Sequence, residues 1–199
     1  MLAAMTTANK ITILRILLIP FFVVEILYYV ETGNELHRLV ALLAFAVAAI
    51  LDGVDGYVAR RYKQWSELGR VLDPLADKLL LVSGIVVLSF DHAPRLGQIP
   101  LWLTGTIIGR DLLLGIGAVI IRLVVGKITV QPRITGKIAT VLQMALVLWI
   151  LLKWSELHAE WLKTISLGAG LFTGASGLFY VWDGTKQLGS HPASSPTQK

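Results

Sequence analysis

The sequence contains no cysteine, which excludes a disulfide scaffold, a thiolate nucleophile and a cysteine-ligated metal. Charge is scarce as well: 16% of the 199 residues are Asp, Glu, Lys or Arg, against about 25% in an ordinary globular domain. Proline numbers only 7 and glycine 18, too few for a collagen-like repeat. A hydrophobic content of 55% is incompatible with a chain that is disordered throughout. No repeat of fixed period runs through the sequence, which weighs against transporters built from matching halves.

What is abundant is apolar sequence gathered into runs, and the mean hydropathy is +0.68. A membrane-spanning helix needs about 20 mostly apolar residues. Six segments approach that length: Ile11–Tyr29, Leu36–Ala59, Val71–Phe90, Ile99–Val124, Ile138–Leu152 and Trp161–Val181. The first is too long for a signal-peptide core and has no small-residue cleavage pattern behind it, so it reads as a retained span. The pattern predicts an all-α integral membrane protein with six transmembrane helices in one domain over residues 1–188. The polar stretch 189–199 has too little apolar content to fold and is expected to be a disordered tail.

The net charge of +5 does not form a basic face suited to nucleic acid. Lys10, then Arg60, Arg61, Lys63 and Arg70, then Arg122, Lys127, Arg133 and Lys137, and finally Lys186 fall in alternate gaps between the apolar runs. The opposite gaps mix Arg38, Arg95, Lys153 and Lys163 with Glu31, Glu35, Asp91, Glu156 and Glu160. Positive-inside sorting then predicts that both N- and C-termini are cytoplasmic.

The least ordinary residues are acids inside the second and third runs. Asp52 and Asp55 are spaced i, i+3, and Asp73 and Asp77 i, i+4, so each pair shares one face of a helix. Arg60 lies about 12 Å along the axis from Asp52 at 1.5 Å per residue, which puts the acids just below the cytoplasmic surface. A carboxylate at membrane depth costs about 2.5 kcal/mol or more, and four together repel. Hard oxygen ligands in a compact cluster suit Mg2+ or Mn2+, and two such ions would orient a pyrophosphate and stabilise its leaving oxygen. Gly56 and Ala59, on the same face as Asp52 and Asp55, leave the backbone open to a ligand. Two other readings stand beside this one: Asp73 as a helix N-cap ahead of Pro74, and the acids as an ion or proton route through a transporter.

In these residues the sequence resembles the CDP-alcohol phosphatidyltransferase family, whose pattern is D-x2-D-G-x2-A-R-x8-G-x3-D-x3-D. Asp52, Asp55, Gly56, Ala59, Arg60, Gly69, Asp73 and Asp77 meet every fixed position. The likeness includes the first run, where Asn9, Thr12 and Arg15 precede Ile16 to Pro20. The resemblance implies a six-helix, homodimeric membrane transferase with its site at the cytoplasmic face, in a bacterial inner membrane. Such enzymes take CDP-diacylglycerol, release CMP and pass the phosphatidyl group to an alcohol. By motif position, Asp52, Asp55 and Asp73 would hold two divalent ions, with Asp77 completing the cluster and acting as general base. Gly56, Ala59, Arg60 and Gly69 would shape the nucleotide site, bordered by Asn9 and Thr12.

The acceptor is read from a second group. Arg110, Arg122, Arg133 and Lys137, with Lys127 nearby, gather around the fourth and fifth runs, and forked guanidinium groups suit a phosphate. An acceptor that carries phosphate follows, glycerol 3-phosphate first, as in bacterial members that make phosphatidylglycerophosphate. The stretch Gly109–Arg122 also resembles members that make cardiolipin, for which phosphatidylglycerol is the acceptor. An Arg-Glu-Trp-Met-Ala segment common among the former has no counterpart after Arg110. In the sixth run Gly168, Gly170, Gly174 and Gly177 make a small-residue surface suited either to a dimer face or to close packing within one chain.

Overall fold

The computed structural model describes residues 7–62, 67–92, 94–125, 134–153 and 159–189; at 7–9, 53, 55–62, 67–71, 74, 122, 124–125, 159 and 187–189 it describes the backbone alone. All of the described regular structure is helical: α1 (Thr7–Thr32), α2 (Glu35–Tyr62), α3 (Glu67–Val87), α4 (Leu101–Val125), α5 (Ile134–Leu151) and α6 (Ala159–Gly189). These match the six apolar runs in order, with shifted ends. The third ends at Val87 rather than Phe90, because the carbonyl of Val87 accepts from His92 Nε2 at 2.7 Å and that of Leu88 from the Ile99 amide at 2.8 Å. The fifth begins at Ile134, four residues before the expected start.

Among the described residues, four stretches are long and apolar enough to cross a membrane: Lys10–Thr32, Leu101–Ile121, Ile134–Leu151 and Glu160–Lys186. α2 and α3 carry charges within the helix, including Arg38 and Asp52 on one and Asp73, Asp77 and Lys78 on the other. The surface is inverted relative to a water-soluble protein. Leu17, Leu43, Leu123, Leu171 and Leu178 are exposed, whereas Thr12, Arg15, Gln143, Thr173 and Ser176 are buried. Lipid removes the reason to bury the former, and its lack of hydrogen-bonding capacity is the reason to bury the latter. This is the construction of a membrane protein.

The chain forms two compact units, Met1–Ile99 with Val147–Ala159, and Pro100–Leu146 with Glu160–Lys199. In the first, α1, α2 and α3 pack on one another. Ala41, Ala44 and Ala48 are buried along one face of α2, and small residues there let helices approach closely. The rings of Phe22 and Phe45 meet with centroids 5.4 Å apart.

The α1–α2 corner is closed by local chemistry. Gly33 has φ +72° and its amide donates to the Tyr29 carbonyl at 2.8 Å, a left-handed helix terminus. Asn34 Oδ1 accepts from the Leu36 amide at 3.0 Å and so caps α2, a contact worth about 1 kcal/mol. The Arg95 guanidinium lies over Gly33 and donates to the carbonyls of Tyr29 and Val30 at the end of α1. Glu35 accepts from Arg38 Nε and Lys153 Nζ, each at 2.6 Å. The Lys153 ammonium and then the Arg38 guanidinium hold the Glu35 carboxyl down to about 2, and Glu35 in turn raises Lys153.

Gly33→Ala is expected to destabilise the protein by about 1–2 kcal/mol, the cost of a left-handed L-residue, since the added Cβ would also stand 3.2 Å from Arg95 Cζ. Thermal unfolding in detergent, compared with Gly105→Ala, where a Cβ meets nothing within 4 Å, measures it.

In the second unit Gln143 Nε2 donates to Thr173 Oγ1 at 3.0 Å, with both residues buried. The small-residue surface of α6 does not act as one strip. A Cβ on Gly170 would stand 2.5 Å from the Trp102 ring, and one on Gly177 3.3 Å from Arg110, so these two admit neighbours from α4; at Gly174 a Cβ meets nothing within 4 Å.

Candidate functional site

The first turns of α1 lie in an apolar helix, yet they carry Thr12 and Arg15, spaced i, i+3 on one face. Both are fully buried. Arg15 Nη1 donates to Asp52 Oδ1 of α2 at 2.7 Å and also to Asp77 Oδ1 of α3. Thr12 Oγ1 donates to Asp73 Oδ1 of α3 at 2.7 Å. One helix face thereby fastens three of the four motif carboxylates from behind.

The burial is asymmetric. The Arg15 side chain has no exposure, while the side chains of Asp52 and Asp77 are each 44% exposed. The carboxylates are gripped on the inside and open on the outside. Asp52 of α2 and Asp77 of α3 meet at one nitrogen, and the element that gathers them is α1. Arg15 was absent from the residues assigned a role above. The available signal was a lone guanidinium inside an apolar run, which is a functional feature by default.

Asp73 lies in the interior of α3, which begins at Glu67. The N-cap reading is therefore overturned: the helix continues through Asp73, whose carboxylate is occupied by a hydroxyl from another helix. Thr12, expected to border a nucleotide, is buried and donates to this acid.

Asn9 lies on α1, Asp55, Gly56, Ala59 and Arg60 on the last turns of α2, Gly69 on α3 and Arg122 on α4; their side chains lie outside the described ones. Among the described residues no three acidic or imidazole side chains form a group placed to hold a metal. Asp52 and Asp77, which share one nitrogen, are the pair that comes together, and their hard oxygens fit Mg2+ or Mn2+.

The second unit holds a different arrangement. Arg110 donates from Nη1 to Asp111 Oδ1 at 2.7 Å and from Nη2 to Ser176 Oγ at 2.9 Å. Its guanidinium carbon lies 5.8 Å from the centroid of the Tyr180 ring. Its side chain is 11% exposed, so its fork is fixed rather than snorkelling. Gly136 lets the guanidinium approach α5, for a Cβ there would stand 3.1 Å from Arg110 Nη2. Lys137, next in the chain, is exposed. Arg133 and Lys127 lie outside the described residues.

Comparison with known proteins bears on the same motif. Residues 5–175 match the model of the CDP-alcohol phosphatidyltransferase family. The chain is 34% identical over 184 residues to a probable phosphatidylglycerophosphate synthase of Mycobacterium tuberculosis, covering 92% of this chain and 83% of that one. It is 35% identical over 151 residues to the CDP-diacylglycerol--glycerol-3-phosphate 3-phosphatidyltransferase of Bacillus subtilis, covering 67% and 75%. A probable cardiolipin synthase (CMP-forming) of Drosophila melanogaster is 35% identical over 200 residues, covering 89% of this chain and 57% of its own. With Asp52 of α2 and Asp77 of α3 drawn together and the family model spanning nearly all of its helices, the chain belongs to the CDP-alcohol phosphatidyltransferase family.

Proposed function

We propose that this protein transfers the phosphatidyl group of CDP-diacylglycerol to glycerol 3-phosphate and releases CMP, a step of phospholipid biosynthesis. The observation that carries the reading is the meeting of Asp52 and Asp77, two fixed positions of the family motif on different helices, at the buried Arg15. Relatives named for this activity support the choice of acceptor.

In this reading Asp52, Asp55, Asp73 and Asp77 hold two divalent ions, Mg2+ or Mn2+. When bound, the ions neutralise the diphosphate and stabilise the departing CMP oxygen. The acceptor hydroxyl attacks the lipid-bearing phosphorus, the bond from that phosphorus to the CMP oxygen breaks, and the hydroxyl proton passes to Asp77. Gly56, Ala59, Arg60, Gly69 and Asn9 shape the nucleotide site. Arg110, Arg122, Arg133 and Lys137 bind the acceptor phosphate, with the Arg110 fork held in direction by Asp111 and Ser176. Phosphoryl chemistry of this kind needs positioning and charge neutralisation more than a covalent intermediate.

The proposed setting is a bacterial inner membrane, crossed six times by a homodimeric protein with both termini and the acidic site on the cytoplasmic side. Two features favour a second acceptor, phosphatidylglycerol, whose product would be cardiolipin: the Gly109–Arg122 stretch and a relative named for cardiolipin synthesis that covers 89% of this chain.

Purified protein in detergent, given CDP-diacylglycerol and Mg2+ or Mn2+, is expected to release CMP with glycerol 3-phosphate and to form phosphatidylglycerophosphate. Lipid product with phosphatidylglycerol alone would move the assignment to cardiolipin synthesis. Ion flux in sealed vesicles without CMP release from either acceptor would revive the transporter reading.

A further inference from the structure

Two carboxylates on separate helices within reach of one nitrogen repel each other, and at the edge of an apolar bundle water does little to relieve them. Arg15 supplies a positive charge between them. A guanidinium stays charged at any pH the protein meets, and here it is fully buried, sharing Nη1 between Asp52 Oδ1 and Asp77 Oδ1. One turn earlier Thr12 fixes Asp73 in the same way. Each contact uses a single carboxylate oxygen on the buried flank, while Asp52 and Asp77 keep 44% of their side-chain surface open.

We propose that Arg15 is the positioning residue of the acidic centre: its buried guanidinium holds Asp52 and Asp77 aligned from behind, so that a divalent ion meets a formed site. The inference rests on the reading that these acids hold metal. Outer-shell partners of this kind typically carry about 10–100-fold in metal affinity. A purely structural arginine would stabilise the fold and leave the affinity of the folded protein unchanged.

Mn2+ binding to the purified full-length protein, read from the free-ion electron paramagnetic resonance signal, separates the two, with thermal unfolding in EDTA and in saturating Mn2+ as the companion measurement. Wild-type protein is expected to bind Mn2+ saturably. Arg15→Gln is expected to weaken binding by about 10–100-fold and so to gain less thermal stability than wild type does from the same Mn2+ concentration. Arg15→Lys keeps the charge without the fork and serves as the measure where the glutamine variant does not fold; about tenfold weaker binding is expected of it. Wild-type Mn2+ affinity in the folded variants, or melting temperatures lowered equally in EDTA and Mn2+, would overturn the role of Arg15 alone. No Mn2+ binding by wild type would overturn the metal reading and the inference with it.

Discussion

Asp52→Ala is expected to lower CMP release by about a thousandfold or more, because charge stabilisation by a bound ion is worth several kcal/mol and each 1.36 kcal/mol is a factor of ten. The protein should nevertheless remain folded. The Asp52 side chain is partly exposed, so its removal opens no sealed cavity, and Arg15 keeps Asp77 as a partner. Asp73→Ala should give the same loss. CMP release from CDP-diacylglycerol is the measurement, with an unchanged elution profile and melting temperature as the control for folding. Rates near wild type in either variant would remove these acids from the metal site.

Asp77→Asn tests a different role. The amide oxygen still accepts from Arg15, so the α1–α3 contact survives, but an amide cannot take the acceptor proton. Loss of a general base typically costs about 10²–10⁴ in rate. The variant should lose turnover on that scale while its affinity for CDP-diacylglycerol changes by less than about tenfold, the pattern of a group that acts in the transition state. Turnover and equilibrium binding of the CDP-lipid, measured on the same preparation, distinguish this from a general weakening of the site. Unchanged turnover would exclude Asp77 as the base, and an equal fall in both would make it a ligand only.

Much of the helical order was legible in the residues. Apolar runs of about 20 residues exist because lipid demands them, and all six correspond to helices. The ends were less legible. The length of α3 depends on His92 and Ile99 reaching its terminal carbonyls, and the start of α5 at Ile134 precedes its most apolar stretch. The capping reading of Asp73 failed for a similar reason. Asp-Pro is a good local start for a helix, but α3 already begins at Glu67, and Thr12 supplies the carboxylate with a partner from across the bundle.

The sequence by itself determined the helical class, the family motif and the sharing of one helix face by each acidic pair, because all three follow from periodicities within a continuous stretch of chain. Tertiary structure alone decided that the acids are fastened by α1. Arg15 is 37 residues from Asp52 and 62 from Asp77, and spacing along the chain says nothing about distances of that kind. They are decided by how the alanine face of α2 and the body of α3 pack on α1, which turns a guanidinium in an apolar helix from an apparent anomaly into the counter-charge of the site.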